Sequence, residues 1–329
     1  MNERAAMKNS IRVSVICCAY NQEKYIEDAL KGFASQKTDF GFEVLVSDDA
    51  SQDGTAEIIR RYEEQYPEII KPVYFSENQY SKGINPAVIL MKKAQGDYIA
   101  FCEGDDYWIS EHKLQRQFDA MEAHPECDMC AHGALKVRPA DKKTIGRIEP
   151  MDRDGILPME TAIDGGGDFI ATNSLFFRRT IVDHPKSYLK YAAFDYAYQI
   201  SGAERGGIVY LAEVMSAYRR GAKNSWTMTM MHAKNTVMIG HIEKMMTMLD
   251  LVNEETHFRY DRNVRFAKLK YEFQIATLKR DLKGVYSKRY SEIRSHMGSK
   301  KRLILYLNYF APWSIKMLQS VKSFRSSKE

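Results

Sequence analysis

Blocks of apolar and polar positions alternate along the first half of the chain. Val13–Cys18 is an apolar run rich in β-branched residues and predicts a buried strand. Tyr25, Ile26, Ala29, Leu30 and Phe33 then recur at helical spacing. A second apolar run, Glu43–Ser47, precedes a helical pattern carried by Ala56, Ile58, Ile59 and Tyr62. Pro72–Phe75 predicts a third strand, and Pro86 to Ala94 a helix with proline in its first turn. Tyr98–Cys102 predicts a fourth strand, and Leu114, Phe118 and Met121 mark the helix after it. Strands alternating with helices imply an α/β fold, a mostly parallel central sheet flanked by helices.

The pattern loosens further on. Cys127–Ala131 reads as a strand, Asp164-Gly165-Gly166-Gly167-Asp168 as a flexible break, and Thr172–Phe177 as strand-like. Phe194 to Ser201 predicts a helix, and Ile208–Leu211 and Val214–Tyr218 two strands. Beyond Thr227 the pattern is helical and rich in Met and Tyr. A catalytic domain over 10–228 and a helical extension over 229–329 are expected.

Chemistry gathers where predicted strands end. The strand at Tyr98 runs into Glu103-Gly104-Asp105-Asp106, three carboxylates within four residues. Carboxylates this close repel unless a cation sits among them, and hard divalent ions bridge such oxygens to substrate phosphates. The strand at Val44 runs into Asp48-Asp49-Ala50-Ser51-Gln52-Asp53-Gly54-Thr55. A calcium loop is excluded there, because its twelfth position would be Arg60 rather than a bidentate Glu. Asp53 suits a helix cap, which leaves Asp48 and Asp49 for other work. The first strand ends beside Tyr20 and Asn21, so three loops point at one crevice, as ligands in open parallel sheets require.

Charge is unevenly spread. Residues 258–329 hold 18 Lys and Arg against 5 Asp and Glu, while the rest holds 30 against 38. An acidic body with a basic tail points to a membrane surface or polyanion, with nucleic acid not an expected partner. The five cysteines are odd in number and mostly sit in apolar runs, so they read as small buried hydrophobes in a reducing, cytoplasmic setting. Cys127-x-x-Cys130 beside His124 and His132 lacks the distant partner pair of a zinc site. No secretory leader and no membrane-spanning run is visible.

Val13-Ser14-Val15-Ile16 before Ala19-Tyr20-Asn21, then Ser47 to Thr55, then Ala94-Gln95-Gly96-Asp97-Tyr98-Ile99 leading to Glu103-Gly104-Asp105-Asp106, resemble the family 2 glycosyltransferases. The resemblance is strong over 11–125 and fainter to about 226. It implies a GT-A fold and inverting transfer of a sugar from a nucleotide-sugar. Asp49 would accept from the imide of uracil, with Tyr20 and Asn21 beside the base and Asp105 against the ribose or metal shell. Asp106 would bind divalent manganese or magnesium. Glu103 stands where the family's Asp-x-Asp-Asp pattern has its first acid, and would reach the metal through water. Asp195 would be the general base, with Asp164 or Asp168 as rivals. Many relatives carry a His after a Tyr-Arg pair, whereas here Tyr218-Arg219-Arg220 precedes Gly221. Arg219 or Arg220 is then a candidate for the diphosphate.

The Gln-x-x-Arg-Trp motif of processive synthases is missing, which favours single-sugar transfer from a UDP-sugar to a glycan or lipid-linked hydroxyl. Two rival readings stay open at this point. One is a non-catalytic nucleotide-sugar-binding or scaffolding protein. The other is a nucleotidyltransferase, which would more often show a basic Gly-rich phosphate loop. At the tail, Lys300-Lys301-Arg302 precedes Leu303 to Leu307, Tyr309, Phe310 and Trp313, with Pro312 expected to split two short helices. Apolar runs with aromatic and basic neighbours fit a segment lying in an anionic membrane interface, here the inner face. The other reading packs them onto the catalytic domain or a partner subunit, leaving an oligomer through these helices open.

Overall fold

The computed structural model describes residues 10–190 and 194–310. They divide into two compact units, one ending at Ala233 and one beginning at Lys234. The division falls slightly beyond the boundary expected at 228.

In the first unit, β1 (Ile11–Ala19), β2 (Gly41–Asp48), β3 (Ile70–Tyr74) and β4 (Tyr98–Phe101) form a parallel sheet in the order β3-β2-β1-β4. Between them lie α1 (Ile26–Ala34), α2 (Thr55–Gln65) and α3 (Pro86–Met91). α1 buries Ile26, Ala29, Leu30 and Phe33, the apolar stripe its spacing predicts. α3 starts with Pro86 at its first turn, and the Asn85 side chain accepts from the Ala87 N–H. It ends at Met91, short of the expected Ala94.

The second half of this unit departs more from expectation. β5 (Tyr107–Trp108), α4 (Lys113–Ala123), β6 (Met129–Val137), β7 (Thr144–Ile148), β8 (Gly155–Leu157), α5 (Met159–Gly165), β9 (Phe176–Arg178), α6 (Phe194–Ala203), β10 (Ile208–Arg219) and α7 (Trp226–Met231) follow. The sheet continues through β9 and β6 to β10 and β5, with β7 on β6 and β8 on β10. The strand expected over Thr172–Phe177 is a 3-10 turn, Thr172–Ser174, before the short β9. The two strands expected near 208 and 214 are one, β10, whose register slips between Leu211 and Val214 and again before Ser216. The bulge interrupts the alternation that made it read as two. The glycine-rich break at Asp164 is the last turn of α5 followed by a second 3-10 turn.

The core joins both halves of the sheet. Val15, Cys17, Leu30, Phe33, Val46, Tyr98, Trp108, Phe118 and Phe176 belong to one buried cluster. Phe33 meets Trp108 edge-on at 4.8 Å, and Tyr98 stacks on Phe176 at 5.1 Å.

The second unit contains α8 (Asn235–Glu255), α9 (Asp261–Leu278) and α10 (Ser299–Phe310), with short turns between the last two. It has its own core of Phe273, Ala276, Val285, Tyr290, Ile293 and Leu305. No helix among the described residues is long and apolar enough to cross a membrane. Pro312, Trp313 and the basic residues after them, where the interfacial segment is expected to continue, lie outside the described residues.

Candidate active site

β1, β2 and β4 run in one direction, with Ala19 opposite Asp48 and Ile16 opposite Phe101. Their carboxyl ends therefore lie together, and the loops after them converge. Gly104 presses the acidic loop against the first of these. A Cβ built there would stand 2.3 Å from Gln22 Oε1 and 2.9 Å from Ile26 Cδ1, so any side chain there would have to displace these two.

Of the three acids on this loop, Asp106 is 1% exposed. Its Oδ1 accepts the Arg219 backbone N–H at 2.8 Å, and its Oδ2 accepts from Asn173 Nδ2 at 2.9 Å. Both oxygens serve the protein. Asn173 is itself a buried hub: it donates to the Ala217 carbonyl, accepts from Ser216 Oγ at 2.6 Å, and offers its own carbonyl to Trp108 Nε1. Burial, then the charges of Asp105 and Glu103, hold the Asp106 carboxyl well above the usual carboxylate range. Burial also pushes Asp105 up to about 6, although its own backbone N–H and Arg219 pull the other way. Glu103 reaches solvent. Surrounding protein, then the charges of Asp105 and Asp195, still push its carboxyl up.

Arg219, expected at the diphosphate, is a buried strut instead. It is 1% exposed, its Nη1 donates to the Asp105 carbonyl at 2.7 Å, and its Nη2 pairs with Asp28 on α1. Its guanidinium lies 4.5 Å from the Tyr107 ring centre and 5.2 Å from that of Tyr25. Its ring-facing side is covered, its charge is paired, and its one N–H without a partner, Nε, is buried away from solvent. Arg220 is exposed at the end of β10. Arg219→Ala is expected to cost about 1–3 kcal/mol, because the Asp105 carbonyl loses a buried donor, while Asp28 keeps its pair with Lys142. Urea unfolding reads this directly. Weaker nucleotide binding with unchanged stability would return Arg219 to the ligand.

On the nucleotide side, Asp49 is 3% exposed and accepts the backbone N–H groups of Gln79 at 2.6 Å and Tyr80 at 3.1 Å. It thereby anchors the turn Tyr80–Lys82. Each oxygen keeps a second lone pair for a ligand N–H. Asn21, at φ 51°, ties three loops: its N–H donates to Ser51 Oγ, its Oδ1 accepts from the Gln52 N–H, and its carbonyl accepts from Asn224 Nδ2. Tyr20 beside it is 38% exposed and presents a ring face. Asp53 accepts the N–H groups of Thr55 and Glu23, stapling the start of α2 to the first loop.

Asp195 stands in the first turn of α6. Its Oδ1 accepts the Tyr196 N–H at 2.8 Å and its Oδ2 accepts from Thr172 Oγ1 at 3.3 Å. A Cβ built on Gly167 would lie 3.6 Å from Oδ1, an ordinary contact distance, which places this turn beside the acid. Burial pushes the Asp195 carboxyl up to about 6, and the charge of Asp168 adds to the rise. Glu103 feels the charge of Asp195, so the two acids lie near each other. Asp164 lies in the last turn of α5, and Asp168 is exposed on the turn Gly167–Phe169.

Two further groups flank the crevice without a sequence signal of their own. Tyr80 is 59% exposed and Trp226 47% exposed, and their side chains are hydrogen-bonded to each other. The charge of Glu103 is felt at Tyr80, which puts the pair beside the acidic loop. A lone Tyr and a lone Trp 146 positions apart carry no motif. Asn173 was equally hidden inside a segment read as strand. Gly221, in place of the relatives' His, has φ +88°, a conformation that favours glycine. The Cys127 and Cys130 thiols donate to backbone carbonyls, and the His124 ring meets Glu126 while His132 meets the Gly133 carbonyl.

A model of glycosyl transferase family 2 matches residues 14–222. A Mycobacterium tuberculosis protein described as uncharacterized is 35% identical over 217 residues, 65% of this chain and 60% of the relative. The chain thus spans about 60% of the length of the mycobacterial relatives it matches. The poly(ribitol-phosphate) beta-N-acetylglucosaminyltransferase TarS of Staphylococcus aureus is 36% identical over 117 residues, 35% of this chain and 19% of TarS. Among solved structures, S. aureus TarS 1-349 in complex with UDP-GlcNAc has a TM-score of 0.56 at 18% identity, covering 91% of this chain and 79% of that one. Mannosyltransferase PcManGT from Pyrobaculum calidifontis, in complex with GDP-Man and Mn2+, has a TM-score of 0.53 at 16% identity, covering 91% and 82%. These likenesses show a fold of the GT-A type, with the sheet and flanking helices that the parallel strands and converging loops already describe. With the family model covering most of the chain, the protein belongs to glycosyl transferase family 2.

Proposed function

We propose that this chain transfers a single sugar, with inversion, from a UDP-sugar to a hydroxyl of a glycan or lipid-linked acceptor in cell-surface polysaccharide synthesis. The observation that carries the reading is the convergence of the loops after β1, β2 and β4, with Glu103 on the donor loop close enough to Asp195 to feel its charge. Inversion needs a base that takes the acceptor's proton as its oxygen attacks, on the side opposite the leaving diphosphate. Asp195, half-buried and raised to about 6, is suited to that task near neutral pH. Thr172 and the Tyr196 N–H orient its oxygens. Asp49, Tyr20 and Asn21 frame the base of the donor, and the Tyr80–Trp226 pair offers apolar ring faces to a sugar.

A divalent cation fits the acidic loop. The charges of Asp105 and Glu103 raise Asp106, that of Asp105 raises Glu103, and the buried Arg219 cation behind them is already paired with Asp28. The ligands we favour are Asp105 and Glu103 rather than Asp106, which is 1% exposed and held between Arg219 and Asn173. Among the described residues no three His, Cys, Asp or Glu side chains are grouped to hold a metal. A hard ion would therefore complete its shell with diphosphate oxygens and water, as magnesium commonly does. Such an ion supplies positive charge to the leaving diphosphate. Arg220 is the remaining side-chain candidate for that diphosphate.

The raised acids predict an unusual stability profile. Between about 4 and 6 the folded protein keeps a proton on Asp105 that the unfolded chain has lost. Stability should therefore fall as pH rises through that window. Added Mn2+ should flatten or reverse the slope, since it binds the ionised form. Thermal melts across pH, with and without Mn2+, check this; a metal-free profile that climbs from pH 4 to 6 and ignores Mn2+ would oppose it. The functional reading itself is tested by melts with a panel of nucleotide sugars. A UDP-sugar with Mn2+ should raise Tm by mass action, and equal shifts from every nucleotide, or none, would count against a UDP-sugar donor.

A further inference from the structure

The last described helix, α10, has a seated side and a bare side. Leu305 is 5% exposed and joins the core of the second unit, with Tyr309 packed against the same cluster. Away from them, Leu303 is 57% exposed, Ile304 45%, Tyr306 52% and Phe310 54%. At 3.6 residues per turn, positions 303, 306 and 310 form one stripe, with 304 at its border. Tyr286, exposed on a neighbouring turn, extends the stripe: its ring centre is 6.4 Å from that of Phe310, and Tyr306 stacks on Phe310 at 4.6 Å. Single exposed apolar residues are ordinary, but a contiguous run of them marks an interaction surface.

The charge around the stripe indicates what covers it. Residues 279–302 carry nine Lys and Arg against two Asp and Glu. Lys283, Lys288, Lys301 and Arg302 are exposed. The Arg302 guanidinium donates to the backbone carbonyls of Met297 at 2.7 Å and Ser295 at 3.3 Å, which fixes its position without neutralising its charge. A second copy of this chain docked through a two-fold axis would oppose the same basic patch to itself. An anionic bilayer matches both features. Leucine and isoleucine enter the acyl boundary, tyrosine and phenylalanine sit at the headgroup level, and the basic groups meet lipid phosphates.

We infer that the exposed face of α10, with Tyr286 beside it, docks on an anionic membrane surface. The docking holds the chain at the surface where a lipid-linked acceptor resides, yet it requires no turnover and stands apart from the donor chemistry. The test is co-sedimentation of the full chain with phosphatidylcholine vesicles, with and without phosphatidylglycerol. At low salt the protein should pellet with the anionic vesicles and stay in solution with the neutral ones, and high salt should release it. Leu303→Ser with Phe310→Ser, and separately Lys301→Glu with Arg302→Glu, should each lower partitioning by about tenfold or more. Circular dichroism and nucleotide-sugar melts on the variants check that both remain folded and bind donor as before. Full-length protein that stays in solution with anionic vesicles overturns the inference. So does vesicle binding unaffected by Leu303→Ser with Phe310→Ser. A lipid-independent dimer lost in that same variant would assign the face to self-association instead.

Discussion

Asp195→Asn should lower turnover by about 10²–10⁴-fold, the range lost with a general base, while UDP-sugar binding stays within a few-fold. Asparagine keeps an oxygen for the Tyr196 N–H, and its NH2 can donate to the Thr172 hydroxyl, which accepts as well as donates, so the start of α6 should hold its shape. The wild-type kcat/KM should rise with pH through about 6, as the Asp195 carboxyl loses its proton. The variant should lack that limb. A variant within a few-fold of wild type, or a wild-type profile flat through pH 6, would move the proton-accepting role to another group, with Asp168 next in line because its charge acts on the same place.

A second large effect separates the two aspartates of the acidic loop. Asp105→Asn should abolish metal-dependent donor binding and leave stability equal or higher, since it removes one of several mutually repelling acids. Asp106→Asn should act the other way. Its new NH2 would face either the Arg219 N–H or the Asn173 amide, two donors in opposition at a buried site. A loss of about 1–3 kcal/mol in stability is expected from such an unmade bond. The family resemblance implies that Asp106 binds the metal; its burial and its bonds to Arg219 and Asn173 favour a structural part instead. Metal dependence lost in a stable Asp106→Asn and kept in Asp105→Asn would restore the earlier assignment.

The first half of the fold was legible because its strands are uninterrupted apolar runs and its helices keep a clean stripe. Val13–Cys18, Val44 and Tyr98 gave both the strands and the loops that converge at their ends. The second half was less so, for local reasons. β5 is two residues long, and β10 carries a bulge that breaks its alternation. Thr172–Ser174 has a strand-like composition yet turns, with the Asn173 side chain bonded to Asp106, Ala217 and Ser216. The candidate acids themselves could be read from clustering and from the family resemblance. Which of them faces a ligand could not, because burial and hydrogen-bond partners come from distant segments: Asp106 from Asn173 and Arg219, and Arg219 from Asp28. Tyr80 and Trp226 meet only through folding, and nothing local in the chain announces the pair.

The most direct test of the central claim is release of nucleoside diphosphate from a panel of nucleotide sugars, followed with wild type and Asp195→Asn in the presence of Mn2+ and again with EDTA. Wild type should release UDP from at least one UDP-sugar, EDTA should stop it, and Asp195→Asn should bind that donor but release little. Failure of wild type to bind or consume any nucleotide sugar with metal present would contradict a sugar-transfer role for this crevice. Equal release by wild type and Asp195→Asn would contradict the part given to its base.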